Sequence, residues 1–195
     1  HFARWSETRP VIVWGAGLNY PKDAIYEDEL VKSLKQCAVV GVRNPQFAFA
    51  HGFEYVPCAS CLHPSFENPV APLTHKVLFY EHADRKFAPP KHTWKANNMQ
   101  KCELSAVLWL FRESEYVVTN SFHGAYWGLQ MKRRVILWKP EELGNRCDHL
   151  DFVPRANSYD DIFKHISNGV PIYQYYPVIC KLDNKKFRRR VERYL

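Results

Sequence analysis

The sequence lacks the features that mark membrane-spanning, fibrous and disulfide-stabilised proteins. No apolar run approaches the length of about 18 residues that a membrane-spanning helix needs. Cysteine is sparse, with six residues among 195, which is too few for a small disulfide scaffold. Apolar residues make up 46% and aromatic residues 15%, which excludes a disordered chain and a coiled coil. We therefore expect a globular chain with a sizeable core.

Several motifs of known chemistry are also missing. The chain has no P-loop, no HExxH zinc motif and no Gly-x-Ser-x-Gly elbow. Cys58 and Cys61 form the only tight cysteine pair, and no second CxxC or HxxxH accompanies them. We favour an ordinary loop pair over a metal site, and a mainly reduced chain. Gly15-x-Gly17 lacks the third glycine and the later acidic residue of a dinucleotide fingerprint, so NAD binding is not predicted.

Positive charge is concentrated at the C-terminus. The formal net charge is +7, and seven lysines and arginines lie within residues 181–193. Phe187, Val191 and Tyr194 follow the i, i+4, i+7 spacing of one helix face, which predicts a basic helix over 181–195 docked by that stripe. An alternative is an arm for nucleic acid or for an anionic membrane. No other basic patch with base-stacking aromatics occurs, and this argues against nucleic acid.

The remaining pattern alternates strands with helices. Buried apolar runs predict strands at 10–14, 38–42, 76–80, 115–119 and 134–138, and amphipathic stretches predict helices at 23–36, 44–51, 99–113, 122–131 and 159–167. Residues 54–74 are predicted to connect two lobes, and 85–98 to form a long loop. Helical crossovers between strands imply parallel pairing, and hence an α/β fold of Rossmann type. Ligands of such sheets lie beyond the carboxyl ends of the strands.

The stretch from Val117 to Gly124 is the strongest single signal. A predicted strand runs into Asn120 and Ser121, and a helix follows whose first-turn amides can bind an anion. Ser121 can cap that helix, its hydroxyl and Asn120 can reach a ligand, and His123 can act as a cation or proton donor. Gly124 allows a ligand to approach the backbone. This combination suits a phosphate or carboxylate; the alternative is that Ser121 only caps and His123 bonds within the fold.

Other strand ends carry weaker candidates. Arg43 follows the second strand, where a guanidinium can bind phosphate or carboxylate with two hydrogen bonds; pairing with a neighbouring acid is the alternative. Glu81 and His82 follow the third strand and could act as general acid or base, or form a satisfied polar pair between the lobes. The turn from Gly15 through Gly17 to Asn19 is a further candidate, or simply a tight turn.

Taken in order, these blocks resemble the polysaccharide pyruvyl transferase family. The resemblance rests on residues 11–17, 40–43, 117–124 and 132–136 and on the closing 182–187, with the His-Gly block most specific. It implies two facing Rossmann-like lobes of glycosyltransferase-B type with the ligand in the cleft. The implied reaction transfers an enolpyruvyl-derived group from phosphoenolpyruvate to sugar hydroxyls, forming a ketal without a required metal or other cofactor.

The resemblance also implies roles for individual residues. Arg43 and the helix start at 121–124, including Phe122, would hold the phosphate and carboxylate of phosphoenolpyruvate. His123 would contact the phosphate, and would protonate the enol carbon or assist phosphate departure. Glu81 or His82 would accept the proton of the sugar hydroxyl. Many members carry Arg-Leu-His where this chain has Ser-Phe-His, so one cation expected at the anion site is absent.

We accordingly expect a remainder of an N-terminal lobe over 1–70 that began before His1, a C-terminal lobe over 71–180 and the basic helix over 181–195. The expected partner is a saccharide or lipid-linked glycan. Without a signal peptide or spanning segment, the expected location is cytoplasmic or peripheral to a membrane. Two alternatives stay open: a nucleotide-sugar glycosyltransferase of the same fold, and a non-catalytic module that binds glycans or anions.

Overall fold

The apolar runs predicted as strands form two separate parallel β-sheets. The computed structural model describes residues 9–17, 26–67, 71–82, 94–97, 102–139, 146–147 and 149–195. The first sheet contains β1 (Ile12–Ala16), β2 (Val39–Val42) and β3 (Glu54–Tyr55), in that order. The second contains β4 (His75–Glu81), β5 (Trp94–Asn97), β6 (Ser114–Thr119), β7 (Arg134–Trp138) and β8 (Arg155–Ala156), in the order β5-β4-β6-β7-β8. All the pairings among these strands are parallel.

Helices connect the strands. The described part of the chain contains α1 (Glu27–Lys35), α2 (Pro45–His51), α3 (Leu104–Arg112), α4 (Phe122–Gln130), α5 (Tyr159–Asn168) and α6 (Tyr176–Val191). The mixed α/β class with Rossmann-like parallel sheets is therefore confirmed. The glycosyltransferase-B arrangement of two facing lobes stays a prediction.

Helix ends follow their local sequence signals. Asn44 accepts a hydrogen bond from the Phe47 amide and precedes Pro45, while Gly52 ends α2 in the left-handed conformation, as predicted. At α5 the capping box is complete, because Ser158 accepts from the Asp161 amide and the Asp161 carboxylate accepts from the Ser158 amide. A hydrogen bond from the Asn157 amide, together with those from Ser158, lowers the pKa of Asp161.

Three predictions about elements were wrong in part. Strand β5 lies inside the predicted long loop, where Trp94–Asn97 pairs with the end of β4. Helix α3 begins at Leu104, after the extended backbone of Glu103, and residues 99–101 of its predicted start lie outside the described residues. The predicted connection over 54–74 contains β3 and two short 3₁₀ helices, Ala59–Leu62 and Pro64–Phe66.

The chain divides into two compact units. Unit 1 comprises residues 1–62, 144–149 and 178–195, and unit 2 comprises residues 63–143 and 150–177. The last helix was predicted as an element separate from both lobes, but its residues from Val178 onward belong to unit 1. Packing explains this, since Phe187 and Val191 are buried in one cluster with Val39 and Val56. Tyr194, the third member of the predicted stripe, is exposed.

Alternation along β2 builds the core of unit 1. Successive side chains of a strand point to opposite faces of the sheet. Val42 packs with residues of α1 and α2, whereas Val39 packs with α6. Gly41 lies on the α6 side, where a Cβ atom would be 2.6 Å from Val56 Cγ2 and 2.8 Å from Phe187 Cε2. The glycine therefore lets α6 approach the sheet closely.

The sheet of unit 2 is covered on both faces in the same way. Phe79, Val118 and Ile136 form a buried cluster with Ile162 of α5. On the other face, the Tyr80 ring lies 4.9 Å from the Phe111 ring of α3, measured between centroids. This two-sided burial explains the nearly continuous apolar runs of β4, β6 and β7. None of the described helices is both long enough and apolar enough to cross a membrane.

One buried side chain links three parts of unit 1. The amide oxygen of Asn184 accepts a hydrogen bond from Trp14 Nε1 at 2.7 Å. Its amide nitrogen donates to the Pro57 carbonyl at 3.2 Å and to the Cys180 carbonyl at 3.0 Å. Asn184 thus satisfies polar groups on β1, on the loop after β3 and on α6, all of which are far apart in sequence.

Replacing this residue tests its structural role. We expect Asn184→Ala to destabilise unit 1 by about 2 kcal/mol, because the half-buried indole N–H of Trp14 loses its acceptor and two backbone carbonyls lose a donor. Hydrogen exchange of the β1–β3 amides measures the effect. Asn168→Ala, at the exposed end of α5, is the matched control and should change stability by less than about 0.5 kcal/mol. Equal protection of β1–β3 in both variants would contradict this role.

Candidate anion-binding site

The carboxyl ends of β4 and β6 lie side by side in unit 2. Tyr80 and Thr119 are register partners in this parallel pair. The Thr119 hydroxyl donates to the Tyr80 carbonyl at 2.6 Å and accepts from the Ser121 amide at 3.0 Å. One buried side chain therefore fixes both strand ends and the start of the following helix. The sequence places Thr119 at the strand end that opens the predicted anion site, but we assigned it no role of its own.

Asn120 fixes the residue that follows β4. Its side-chain oxygen accepts a hydrogen bond from the His82 amide at 2.7 Å, and Asn120 is buried. Its carbonyl oxygen thus positions the backbone of His82, and the contact of this side chain with a ligand stays a prediction. The His82 side chain is half-buried, whereas Glu81 beside it is only 2% exposed. The structure thus brings Glu81 and His82 to the same edge of the sheet as the His-Gly block.

Helix α4 begins at this edge. Ser121 caps it by accepting from the Gly124 amide at 3.4 Å, as predicted. The N-terminus of this nine-residue helix carries a partial positive charge that favours an anion. Phe122 is only 4% exposed and stacks on Tyr126, with ring centroids 5.6 Å apart. Its side chain is therefore part of the packing, and its role as a ligand contact stays a prediction.

His123 is the half-buried imidazole of the first turn. Its ring centroid lies 5.2 Å from that of Phe122 and 5.2 Å from that of Trp127. The two aromatic rings restrict the orientation of the imidazole. Trp127 was not among the predicted site residues. Its position four residues after His123 on a predicted helix nevertheless indicates that the two side chains are neighbours.

Gly124 has a packing role, and the approach of a ligand to its backbone stays a prediction. A Cβ atom at this position would overlap Thr119 Oγ1 and lie 2.7 Å from Tyr80 Cδ1. Only glycine lets the first turn of α4 rest on the ends of β4 and β6. The close approach is thus made by protein atoms of the same unit.

The remaining candidates lie in unit 1. The Arg43 amide donates to the Ala16 carbonyl at 2.9 Å, and its guanidinium packs so tightly on Gly17 that a Cβ atom there would overlap it. Gly15 has a φ of 62°, and a Cβ atom would lie 2.7 Å from the Pro57 carbonyl oxygen. Asn19, the other predicted residue of this turn, lies outside the described residues.

The Arg43 side chain is held by a neighbour that sequence analysis missed. It is half-buried, and its guanidinium donates a hydrogen bond to Cys58. Burial lowers the pKa of Arg43, and the Cys58 and Cys147 thiols oppose that shift. The Arg43 guanidinium stays a cation at physiological pH. The predicted alternative was pairing with a neighbouring acid. No pattern in the sequence predicts that the Cys58 thiol lies beside Arg43.

Among the described residues, no group of three or more His, Cys, Asp or Glu side chains has the geometry of a metal site. Unit 2 instead offers a helix N-terminus, an imidazole and a buried carboxylate at one sheet edge, and unit 1 offers one half-buried guanidinium. Groups of these kinds bind anions and transfer protons.

Comparison with known proteins gives one match. Residues 2–137 match the family model described as Polysaccharide pyruvyl transferase. No curated protein and no solved structure matches the chain significantly. The matched range includes all of the candidate residues named above.

The overlap at Gly124 can be tested by a double-mutant cycle. We expect Gly124→Ala to destabilise unit 2 by about 1–3 kcal/mol, because the new methyl group displaces Thr119. Thr119→Ala removes the overlapping hydroxyl, so the double variant should be more stable than the sum of the single effects by at least about 0.5 kcal/mol. Denaturation midpoints and hydrogen exchange of β4 and β6 measure the coupling. Simple additivity would contradict the packing role.

Proposed function

Because the chain belongs to the polysaccharide pyruvyl transferase family, we propose that it transfers a pyruvyl group from phosphoenolpyruvate to a saccharide or lipid-linked glycan. The observation that carries the proposal is the start of α4 at the carboxyl end of β6, with His123 in its first turn. This position suits the phosphate or carboxylate of a small anionic donor. No further cofactor is part of the proposal.

The reaction requires two bonds to form at one carbon. The methylene carbon of phosphoenolpyruvate gains a proton, which makes the central carbon electrophilic. Two hydroxyl groups of the sugar then bond to the central carbon, and its bond to the phosphate oxygen breaks. The two hydroxyl protons finish on the new methyl group and on the released phosphate. Nothing is oxidised or reduced, so the protein has to bind an anion and to move protons.

We assign anion binding and proton transfer to different candidate residues. The N-terminus of α4 stabilises the negative charge of the donor and of the departing phosphate. His123 donates a proton to the enol carbon or to the leaving phosphate. Glu81 or His82 accepts the proton of the attacking hydroxyl; the Asn120 hydrogen bond fixes the backbone from which His82 projects. Arg43 of unit 1 is a separate candidate for binding a phosphate or carboxylate.

Replacing His123 tests the donor site. We expect His123→Ala to weaken phosphoenolpyruvate binding about tenfold to a hundredfold, because one charge-assisted hydrogen bond is lost. Calorimetry on the full chain measures it, with His165→Ala on α5 as the control that keeps wild-type affinity. Saturable binding of nucleotide diphosphates and none of phosphoenolpyruvate would contradict the proposal and favour a glycosyltransferase. Binding of glycans alone, unchanged in His123→Ala, would favour a non-catalytic module.

Arg43 allows a test of charge against geometry. We expect Arg43→Gln to weaken phosphoenolpyruvate binding at least about tenfold, and Arg43→Lys to have a smaller effect because it keeps the charge but loses the planar fork. Arg155→Gln, which removes an exposed arginine, is the control. Thermal melts show whether each variant is folded. Unchanged affinity in folded Arg43→Gln would remove Arg43 from the candidate binding residues.

A further inference from the structure

The two sides of α6 have opposite surroundings. Cys180, Asn184, Phe187 and Val191 are buried and follow the spacing i, i+4, i+7, i+11. Val178, Leu182, Lys185 and Arg189 repeat that spacing and are all exposed. Since a helix turns about 100° per residue, these two sets lie on opposite sides of α6. We call the exposed set, with Ile179 and Lys186 of α6 and Arg193 in the turn that follows the helix, the outer stripe.

The outer stripe changes character along the helix. Its first part is apolar, and Val178, Ile179 and Leu182 are 51%, 54% and 51% exposed. Three aliphatic side chains exposed together on one helix are unlike the scattered apolar residues of an ordinary surface. Its second part is basic, with Lys185, Lys186, Arg189 and Arg193.

Few of these cations are neutralised locally. Lys186 lies 3.6 Å from Asp183, while Arg188 and Arg190 pair with Glu192 and Glu54. Lys185, Arg189 and Arg193 form no ion pair with any described residue. A partner of the outer stripe must therefore be negatively charged next to an apolar region.

We propose that the outer stripe of α6 binds the surface of an anionic membrane. Val178, Ile179 and Leu182 enter the boundary between headgroups and acyl chains, and Lys185, Arg189 and Arg193 contact the lipid phosphates. The long stems of lysine and arginine let their charged ends reach the headgroups while their methylenes lie on the apolar boundary. The inference uses only α6 and the turn that follows it, and does not depend on the proposed reaction. A second copy of the chain or an acidic protein is the competing occupant.

Vesicle binding of the full chain tests the proposal. The chain should bind vesicles of phosphatidylserine and phosphatidylcholine and not vesicles of phosphatidylcholine alone, and salt should weaken the binding. Substituting Lys185, Arg189 and Arg193 by Gln should lower the partition coefficient about a hundredfold, at about fivefold per cation. The matched control substitutes Lys32, Lys35 and Lys164 by Gln; it removes the same charge from exposed sites on α1 and α5.

The apolar part needs its own variant. Ile179→Ser with Leu182→Ser should weaken binding at least about tenfold. Phe49→Ser with Phe163→Ser removes exposed apolar side chains from α2 and α5 and should leave binding unchanged. No binding to anionic vesicles, or an equal loss in the variants and their controls, would overturn the proposal. So would a dimer in sedimentation velocity that Ile179→Ser with Leu182→Ser dissociates, since that result assigns the stripe to a second copy.

Discussion

The hydroxyl group of Thr119 holds together the three backbone segments that form the proposed donor site. It donates to the end of β4 at Tyr80 and accepts from Ser121 at the start of α4, while its own backbone ends β6. The same side chain occupies the space into which a Cβ atom of residue 124 would project. The first turn of α4 can therefore pack here only because residue 124 is a glycine. A helix N-terminus becomes a useful anion site when it is rigidly placed, and this hydroxyl supplies the rigidity.

Close packing of protein atoms accounts for the glycines in both units. Gly124 makes room for Thr119 and Tyr80, and Gly17 makes room for the guanidinium of Arg43. In each unit a chemically useful group follows a parallel strand and is held by contacts within that unit. Such preorganisation reduces the cost of ordering the group when a ligand binds.

The local part of the fold could be predicted from sequence because its signals are local. Runs of Val and Ile predict the strands, and the capping residues Asn44 and Ser121 predict where two helices begin. Contacts between distant residues could not be predicted in this way. Strand β5 depends on pairing with β4, and α6 belongs to unit 1 because Phe187 packs on Val56. The bond between Arg43 and Cys58 was likewise invisible, since it depends on how a loop folds back.

The most direct test is a titration of phosphoenolpyruvate into the ¹⁵N-labelled chain, followed by amide chemical shifts. If the start of α4 binds the donor, the amides of Ser121, Phe122, His123 and Gly124 should shift saturably, and those of α5 should not. A binding curve from calorimetry with shifts confined to other parts of the chain would contradict the assignment of the donor to this helix.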